Sequence, residues 1–338
     1  MFVNQDILFH DGTKQFCKYN EQQKTYSIIL RANKGTVSSV FVCVNGNELQ
    51  MTKIKTTEDF EYFEALLDAG EKMYQYYFKC DTNEDCIFYN MFGIMKQAVN
   101  DGYFELTPGF ETPDWAKGAV MYQIMVDRFN NGDKTNDEYV YIGKAVTAVK
   151  DWSENPAVDG TRQFYGGDLQ GVIDKLDYLE KLGIDVIYFN PIFVSPSNHK
   201  YDTQDYDHVD PHLGKIVVDG GETVSDYATD NKNASKYKTR TTSLENLEAS
   251  NQLFIELVEK AHEHGIKIII DGVLNHCGSF NKWLDREELY KGNSDYETGA
   301  YQSKESPYNS YFKFSTDSWP DNYSYEGWWG FDTLPKLN

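Results

Sequence analysis

Cysteine is scarce: Cys17, Cys43, Cys80, Cys86 and Cys277 are five in 338 residues, an odd number at no repeating interval. That excludes a disulfide framework. Cys80 and Cys86 are near enough to pair across a turn, but they have no histidine beside them for a metal site, and they read as free thiols of a reducing compartment. Basic residues are also outnumbered, 32 Lys and Arg against 53 Asp and Glu, for a formal net charge of -21. Such a surface repels phosphate backbones and anionic lipid heads, so nucleic acid and membranes are excluded as partners. Apolar residues never run together for the roughly 18 positions that a membrane span requires. The first residues, MFVNQDILFHDG, lack a basic segment followed by an apolar core, and the expectation is a soluble, cytoplasmic protein.

What the chain has in plenty is aromatic residues: 25 Tyr, 20 Phe and 6 Trp, a total of 15%. Part of this serves β-structure, and part suits stacking on flat, uncharged ligands. Residues 1–106 alternate in the manner of strands: Tyr26, Ile28 and Leu30, then Val40, Val42 and Val44 closed by Asn45-Gly46, the signature of a hairpin. The stretch MYQYYFKCDTNEDCIFY repeats the pattern, and a small β-sandwich is expected. Residues 107–117, TPGFETPDWAK, punctuate the chain as a linker.

Beyond the linker the period changes. GAVMYQIMVDRF reads as a strand ending at Asp127-Arg128. A helix over Leu169–Leu182, with Val172, Ile173, Leu176, Leu179 and Leu182 on its apolar stripe, stops at Gly183 before the strand IDVIYFNPIF. A second helical stripe (Leu253, Phe254, Leu257, Val258, Ala261) ends at His264-Gly265, and the strand IKIIIDGVL follows. Ile266, Ile268, Ile269 and Ile270 predict that this strand is covered on both faces. Strands alternating with helices imply a parallel sheet. No GxGxxG follows the first strand, so a dinucleotide fold has no support, whereas long polar loops after the strands suit a barrel enzyme. In such barrels the chemistry sits at the carboxyl ends of strands, where Asp271, Asn275 and His276 fall.

Four segments together resemble the family 13 glycoside hydrolases, the α-amylase family, and most closely its neopullulanase, cyclomaltodextrinase and maltogenic amylase branch. They are MYQIMVDRFNNGD, FYGGDLQG with NPIFVSPSNHKYDTQDYDHVDPHLG, DGVLNHCG and LPKLN. The resemblance implies an α/β chain: an N-terminal β-sandwich, then the first three strands of an incomplete (β/α)8 barrel over 118–276, then a loop domain over 277–338 that protrudes after strand 3. It implies hydrolysis of α-glucosidic bonds in malto-oligosaccharides, cyclodextrins, pullulan or starch by double displacement with retention. The sequence leaves open 1,4 against 1,6 bonds, and hydrolysis against transglycosylation.

Residue by residue, the resemblance makes Tyr201 the platform under the glucose before the scissile bond and His276 its hydrogen-bond partner. His199 and Asp202 of the same NHKYD segment join the substrate-binding set, as do Trp328 and Trp329, of which at least one is expected to be accessible. Asp271 and Asn275 support the loop, and Trp283 is expected to pack. The branch carries calcium at positions matching Asn131, Asp133, Asn136, Asp137, Gly166 and Asp168, and the oxygen-rich run NNGDKTND is chemically suited to it. A homodimer of the full-length enzyme through the N-terminal domain is implied as well.

The two carboxylates that a retaining glycosidase holds about 5 Å apart come, in the family, from strands after LPKLN. The expectation is therefore an N-terminal part of a longer enzyme, with nucleophile and acid/base beyond Asn338 and sheet edges too exposed for a stable monomer. A chain that truly ended at Asn338 would instead be a non-catalytic α-glucan-binding protein. Residues 215–246 are longer than the corresponding family loop and carry Asp219, Glu222, Asp226, Asp230, Lys232, Lys236, Lys238 and Arg240. They are an insertion near the substrate side that reads by default as a solvated excursion, with a lid or specificity loop as the alternative.

Overall fold

In a computed structural model the described residues are 7–70, 72–97, 101–110, 112–137, 147–148, 155, 163–224, 231–314 and 324–338. The chain divides into two compact units, Met1–Gly118 and Ala119–Asn338.

The described strands of the first unit are β1 (Leu8–Phe9), β2 (Cys17–Asn20), β3 (Thr25–Asn33), β4 (Ser39–Val44), β5 (Asn47–Gln50), β6 (Thr52–Thr56), β7 (Phe60–Asp68), β8 (Tyr74–Asp81), β9 (Cys86–Asn90), β10 (Gly93–Met95) and β11 (Phe104–Leu106). They form two sheets, β1-β3-β7-β6 with β2 on β3, and β10-β9-β8-β4-β5 with β11 on β8. Strand β3 buries every second residue (Tyr26, Ile28, Leu30, Ala32), as the period-2 pattern requires. These side chains pack with Val40, Val42, Phe63 and Phe78 into one core. Asn45 (φ 47°) and Gly46 (φ 84°) close β4 onto β5 in the left-handed region that favours those two residues. All five cysteines are free thiols.

In the second unit, β12 (Met121–Ile124), β15 (Val186–Phe189) and β18 (Lys267–Ile270) are parallel in the order β12-β15-β18. Between them in the chain lie the short pairs β13 (Thr147–Ala148) with β14 (Gln163–Phe164) and β16 (Phe193–Val194) with β17 (Asp205–Val209). The helices are α1 (Leu169–Ile173), α2 (Leu176–Leu182), α3 (Ser235–Thr242) and α4 (Leu244–Glu263). No helix of the described residues is long and apolar enough to cross a membrane.

Three local expectations are corrected. The first strand of the second unit stops at Ile124, and Asp127 and Arg128 sit in a 3-10 turn behind it. The helix expected over Leu169–Leu182 is two helices that meet at Asp174-Lys175, and Leu182 is 51% exposed beside the left-handed cap Gly183. Strand β18 is not covered on both faces: Ile270 is 43% exposed although Ile266 is fully buried, and among the described residues β18 pairs with β15 alone. An apolar run reports burial only where a neighbour exists on each side.

Past β18 the backbone is largely irregular, and one buried acid there carries a pH signature. Asp285, 1% exposed and at φ 50°, accepts the Tyr290 N–H at 3.1 Å. Burial pushes its carboxyl up to about 6 from the ordinary 3.8. An acid that holds its proton more tightly when folded loses stability as pH rises from the unfolded pKa through the folded one. The cost is complete above pH 6 and is on the order of 2–3 kcal/mol. Asp285→Asn keeps the acceptor, tolerates the left-handed backbone and removes the charge. Melting curves should show the variant more stable than wild type at pH 7.5, with the gap closing at pH 4.5; parallel profiles would contradict this.

Candidate functional site

The loop between β16 and β17 carries NHKYD and is fastened from beneath. Lys200 adopts φ 60° and is 3% exposed, with its Nζ 2.8 Å from both the Ser195 carbonyl and Asp210 Oδ2. Asp210, fully buried, also accepts from Ser195 N–H (2.9 Å) and His212 N–H (2.8 Å) and lies 3.0 Å from His212 Nδ1. Burial pushes the Asp210 carboxyl up, but Lys200 and His212 outweigh it and hold it well below the carboxylate range. A buried pair so fully hydrogen-bonded serves to fix a geometry rather than to add stability. Here it fixes the turn that presents Tyr201.

The Tyr201 hydroxyl donates to Asp271 Oδ2 at 3.2 Å, across from the end of β18. Asp271 also bonds Tyr188 of β15, whose phenol its hydrogen bond raises. The Tyr201 phenol is raised as well, by burial first and then by the Asp271 charge. His199 Nδ1 accepts the Tyr201 N–H at 3.1 Å, and the two rings are 5.9 Å apart at 39°. Asp202 accepts from Ser195 Oγ (2.7 Å) and Ser197 Oγ.

His276 meets this loop from the other side. It is 5% exposed, and burial lowers its pKa, opposed by the Asp202 charge and a hydrogen bond to the Tyr201 backbone. Its carbonyl and that of Val273 lie 2.8 and 2.7 Å from the Tyr206 hydroxyl, and its Nδ1 is 3.1 Å from Asn275 Nδ2. Gly278 N–H donates to the Thr203 carbonyl at 3.0 Å, and a Cβ on Gly278 would stand 2.5 Å from the Asp202 carbonyl oxygen. The two strand exits are therefore locked together. Beside them the segment ending in LPKLN folds back: His276 bridges Lys336, and the His276 ring stacks on Trp328 at 4.6 Å and 7°. Trp328 in turn stacks on Trp329 at 4.3 Å and 15°. Trp329 holds φ 53°, outside the usual range for a bulky residue, and is 80% exposed. Trp283 packs against Tyr206 at 5.2 Å and 20°.

Tyr201, His199, Asp202, Asp271, Asn275, His276 and Trp328 are thus gathered by direct contacts, and Trp329 extends the stack into solvent. The buried supports Lys200, Asp210 and His212 and the spacer hydroxyl of Tyr206 were not singled out from sequence. Isolated polar residues with no period carry no signal of burial, although all four lie inside the quoted segment around NHKYD.

The oxygen-rich run forms a second cluster. Asp127, 2% exposed, accepts the N–H groups of Tyr165 (3.1 Å) and Gly166 (3.3 Å) and so carries the FYGGD turn. Gly166 (φ 80°) lies so near the acid that a Cβ would be 2.6 Å from Asp137 Oδ1. Asn131 Nδ2 donates to both Asp137 oxygens (2.8 and 3.0 Å). The buried Oδ1 atoms of Asn131 and Asn136 accept no hydrogen bond. Burial raises the Asp137 carboxyl, countered by the Asn131 bond. Asp133 Oδ1 accepts from Thr135 N–H (2.9 Å) and Oγ1 (2.6 Å). Asp168 is used differently: its carboxylate accepts from Gly171 (2.6 Å), Asp133 (2.7 Å) and Gly132 (3.2 Å), which caps α1 and ties it to the loop.

Comparison with known proteins gives these motifs a context. The profile described as "Alpha amylase, catalytic domain" matches residues 123–217 and 237–338, and "Alpha amylase, N-terminal ig-like domain" matches residues 3–108. The chain belongs to the alpha-amylase family. Within the family it is 35% identical over 324 residues to an amylopullulanase of Thermoanaerobacter thermohydrosulfuricus, covering 86% of this chain and 19% of that one. It is 33% identical over 304 residues to neopullulanase 2 of Thermoactinomyces vulgaris, covering 85% and 44%. The type III pullulan hydrolase from Thermococcus kodakarensis shares its structure with a TM-score of 0.53 at 25% identity, over 98% of this chain and 51% of that one. The chain spans less than half the length of these curated alpha-amylase relatives.

Proposed function

We propose that this chain carries the sugar-gripping half of a glycoside hydrolase that cleaves α-glucosidic bonds in malto-oligosaccharides, cyclodextrins or pullulan with retention. The relatives and the solved structure named above support the substrate class, and one observation carries the site: Tyr201 and His276, from two different strand exits, are in direct contact. In this reading the Tyr201 ring is the apolar floor for one glucose, braced by Asp271. His276, held neutral by burial, offers donor and acceptor to the sugar hydroxyls. Trp329 is placed to stack on a neighbouring glucose. Such positioning lowers the barrier to an oxocarbenium-like transition state, which needs a fixed, flattened ring. No residue of this chain is assigned as nucleophile or acid/base. The three parallel strands are read as the start of a (β/α)8 barrel, with residues 277–338 as its protruding loop domain. Calorimetric titration of the purified protein with maltotriose and β-cyclodextrin tests the grip: saturable binding supports it, and heats of dilution alone sink it.

The second cluster is read as a calcium site. Asn131 Oδ1 and Asn136 Oδ1, buried hard oxygens without a hydrogen-bond partner, would hold the ion together with the Asp137 carboxylate and the Gly166 carbonyl, the oxygen set that calcium coordinates. Asp133 would complete the set, whereas Asp168 would serve as fastener of the loop. The ion would supply charge that offsets buried Asp137 and would stiffen the loop. Calcium at about a hundred times its dissociation constant should then stabilise the fold by about 2.7 kcal/mol. Melting with added calcium against excess chelator should show a shift of several degrees in wild type and none in Asn136→Ala; equal melting with and without the ion would contradict the site.

A further inference from the structure

Residues 218–236 fall between the two stretches matched to the family, and the loop containing them was read from sequence as a solvated excursion. The structure keeps much of the described part exposed but ties it to the fold by specific contacts; Asp226 and Asp230, and the side chain of Lys232, lie outside the described residues. Asn246, fully buried, accepts the Val217 and Val218 N–H groups at 2.7 Å each and donates to the Val218 and Arg240 carbonyls at 2.8 and 3.1 Å. Arg240 is 2% exposed and grips Asp219 in a two-pronged pair, both contacts 2.8 Å. Ser235 at the start of α3 takes the Glu222 N–H at 2.7 Å. The segment is therefore built into the fold at both of its described ends.

Helix α3 points its one large aromatic residue at the sugar-site loop. Tyr237, 3% exposed, donates to Gln204 Oε1 at 2.8 Å, and Gln204 follows Tyr201 by three residues. Gln204 is itself saturated, with Nε2 2.9 Å from the Tyr290 hydroxyl and 3.1 Å from Thr241 Oγ1, and with backbone bonds to Val194 and Lys282. The Tyr237 ring also lies parallel to His212 at 6.2 Å and 14°. His212 bonds Asp210, and Asp210 bonds Lys200, the residue before Tyr201. Two routes of buried contacts thus run from α3 to the two flanks of Tyr201.

We propose that residues 218–224 and α3 form a clamp on the sugar shelf, with Tyr237 the positioning residue that sets Tyr201 through Gln204 and His212. The effect on sugar binding rests on the functional reading above; the effect on Tyr201 itself does not. Tyr237→Phe removes one hydroxyl and keeps the ring stack. It is expected to weaken maltotriose binding by about 3- to 10-fold, the loss of a single buried hydrogen bond. In a Gln204→Met background, where the acceptor and the bonds to Tyr290 and Thr241 are already lost, Tyr237→Phe should add nothing further to the loss in affinity, because its hydroxyl acts through Gln204. In sugar-free protein labelled with 13C-tyrosine, the Tyr201 ring signals, assigned by Tyr201→Phe, should shift in Tyr237→Phe. Wild-type affinity in Tyr237→Phe, or unmoved Tyr201 signals, overturns the clamp whatever happens to melting temperature. A wild-type protein that ignores maltotriose refutes the glucan reading, and the clamp is then decided by the Tyr201 signals alone. Should Tyr237→Phe fail to fold, Asp219→Asn loosens the far end of the same element and is judged by the same two readouts.

Discussion

Gly171→Ala should unfold the oxygen-rich loop and lower the melting temperature by roughly 5–10 °C, the equivalent of about 3 kcal/mol in a unit of this size. Two effects oppose each other. Gly171 lies within α1, where alanine normally gains about 1 kcal/mol of helix propensity. A Cβ there, however, would stand 1.9 Å from the Asn130 carbonyl oxygen and 3.1 Å from the Gly132 nitrogen, both backbone atoms with no rotamer to yield. Relief requires α1 and the loop to part, which strains or breaks the three N–H bonds that Asp168 accepts from Gly132, Asp133 and Gly171. Overpacking and lost hydrogen bonds together exceed the propensity gain. Gly12→Ala is the control, since nothing lies within 4 Å of its would-be Cβ. Thermal melts of the two variants that coincide would show that the close approach is not structural.

The other large effect is on sugar affinity. His276→Ala should weaken malto-oligosaccharide binding by about 30-fold, corresponding to about 2 kcal/mol, because it removes a hydrogen-bonding ring and uncovers the face of Trp328 that stacks on it. Tyr201→Ala should cost about tenfold by removing the platform. Both variants should retain their secondary structure, since neither ring lies in the principal core of the unit. Burial lowers the pKa of His276, so the neutral ring proposed to bind sugar persists to lower pH than a free imidazole would allow. Affinity should begin to fall only at a lower pH than a free imidazole would set. In Trp328→Leu, which opens the ring to water, the drop should begin at higher pH. Titrations between pH 5 and 8 check both statements, and a wild-type curve that already falls at neutral pH would contradict them.

How much of this was legible in the sequence depended on periodicity and on motif. The alternation of Tyr26, Ile28 and Leu30 and the Asn45-Gly46 turn are local signals, and the first unit follows them. The helices and strands of the second unit were visible in kind, but their limits were not: the break at Asp174-Lys175 and the exposure of Ile270 depend on neighbours that a period cannot name. His276 stood out because polar residues after an apolar strand are conspicuous, and Tyr201 through the family resemblance of the NHKYD segment. Lys200, Asp210 and His212, which hold Tyr201 in place, did not, because charged residues are read as solvated unless a partner is known. The same bias made residues 215–246 look like a surface excursion. Asp219, 43% exposed and so solvated as read, also pairs with the buried Arg240, a contact 21 residues apart that only the fold reveals.

The most direct test follows the rings of Tyr201 and His276 by NMR while maltotriose is added to the purified protein. If the two residues grip one glucose, both sets of signals should move together and saturate with a single dissociation constant, and neither should respond to a sugar alcohol that lacks a ring. Signals that stay fixed, or that titrate with different constants, would show that these residues do not share a sugar.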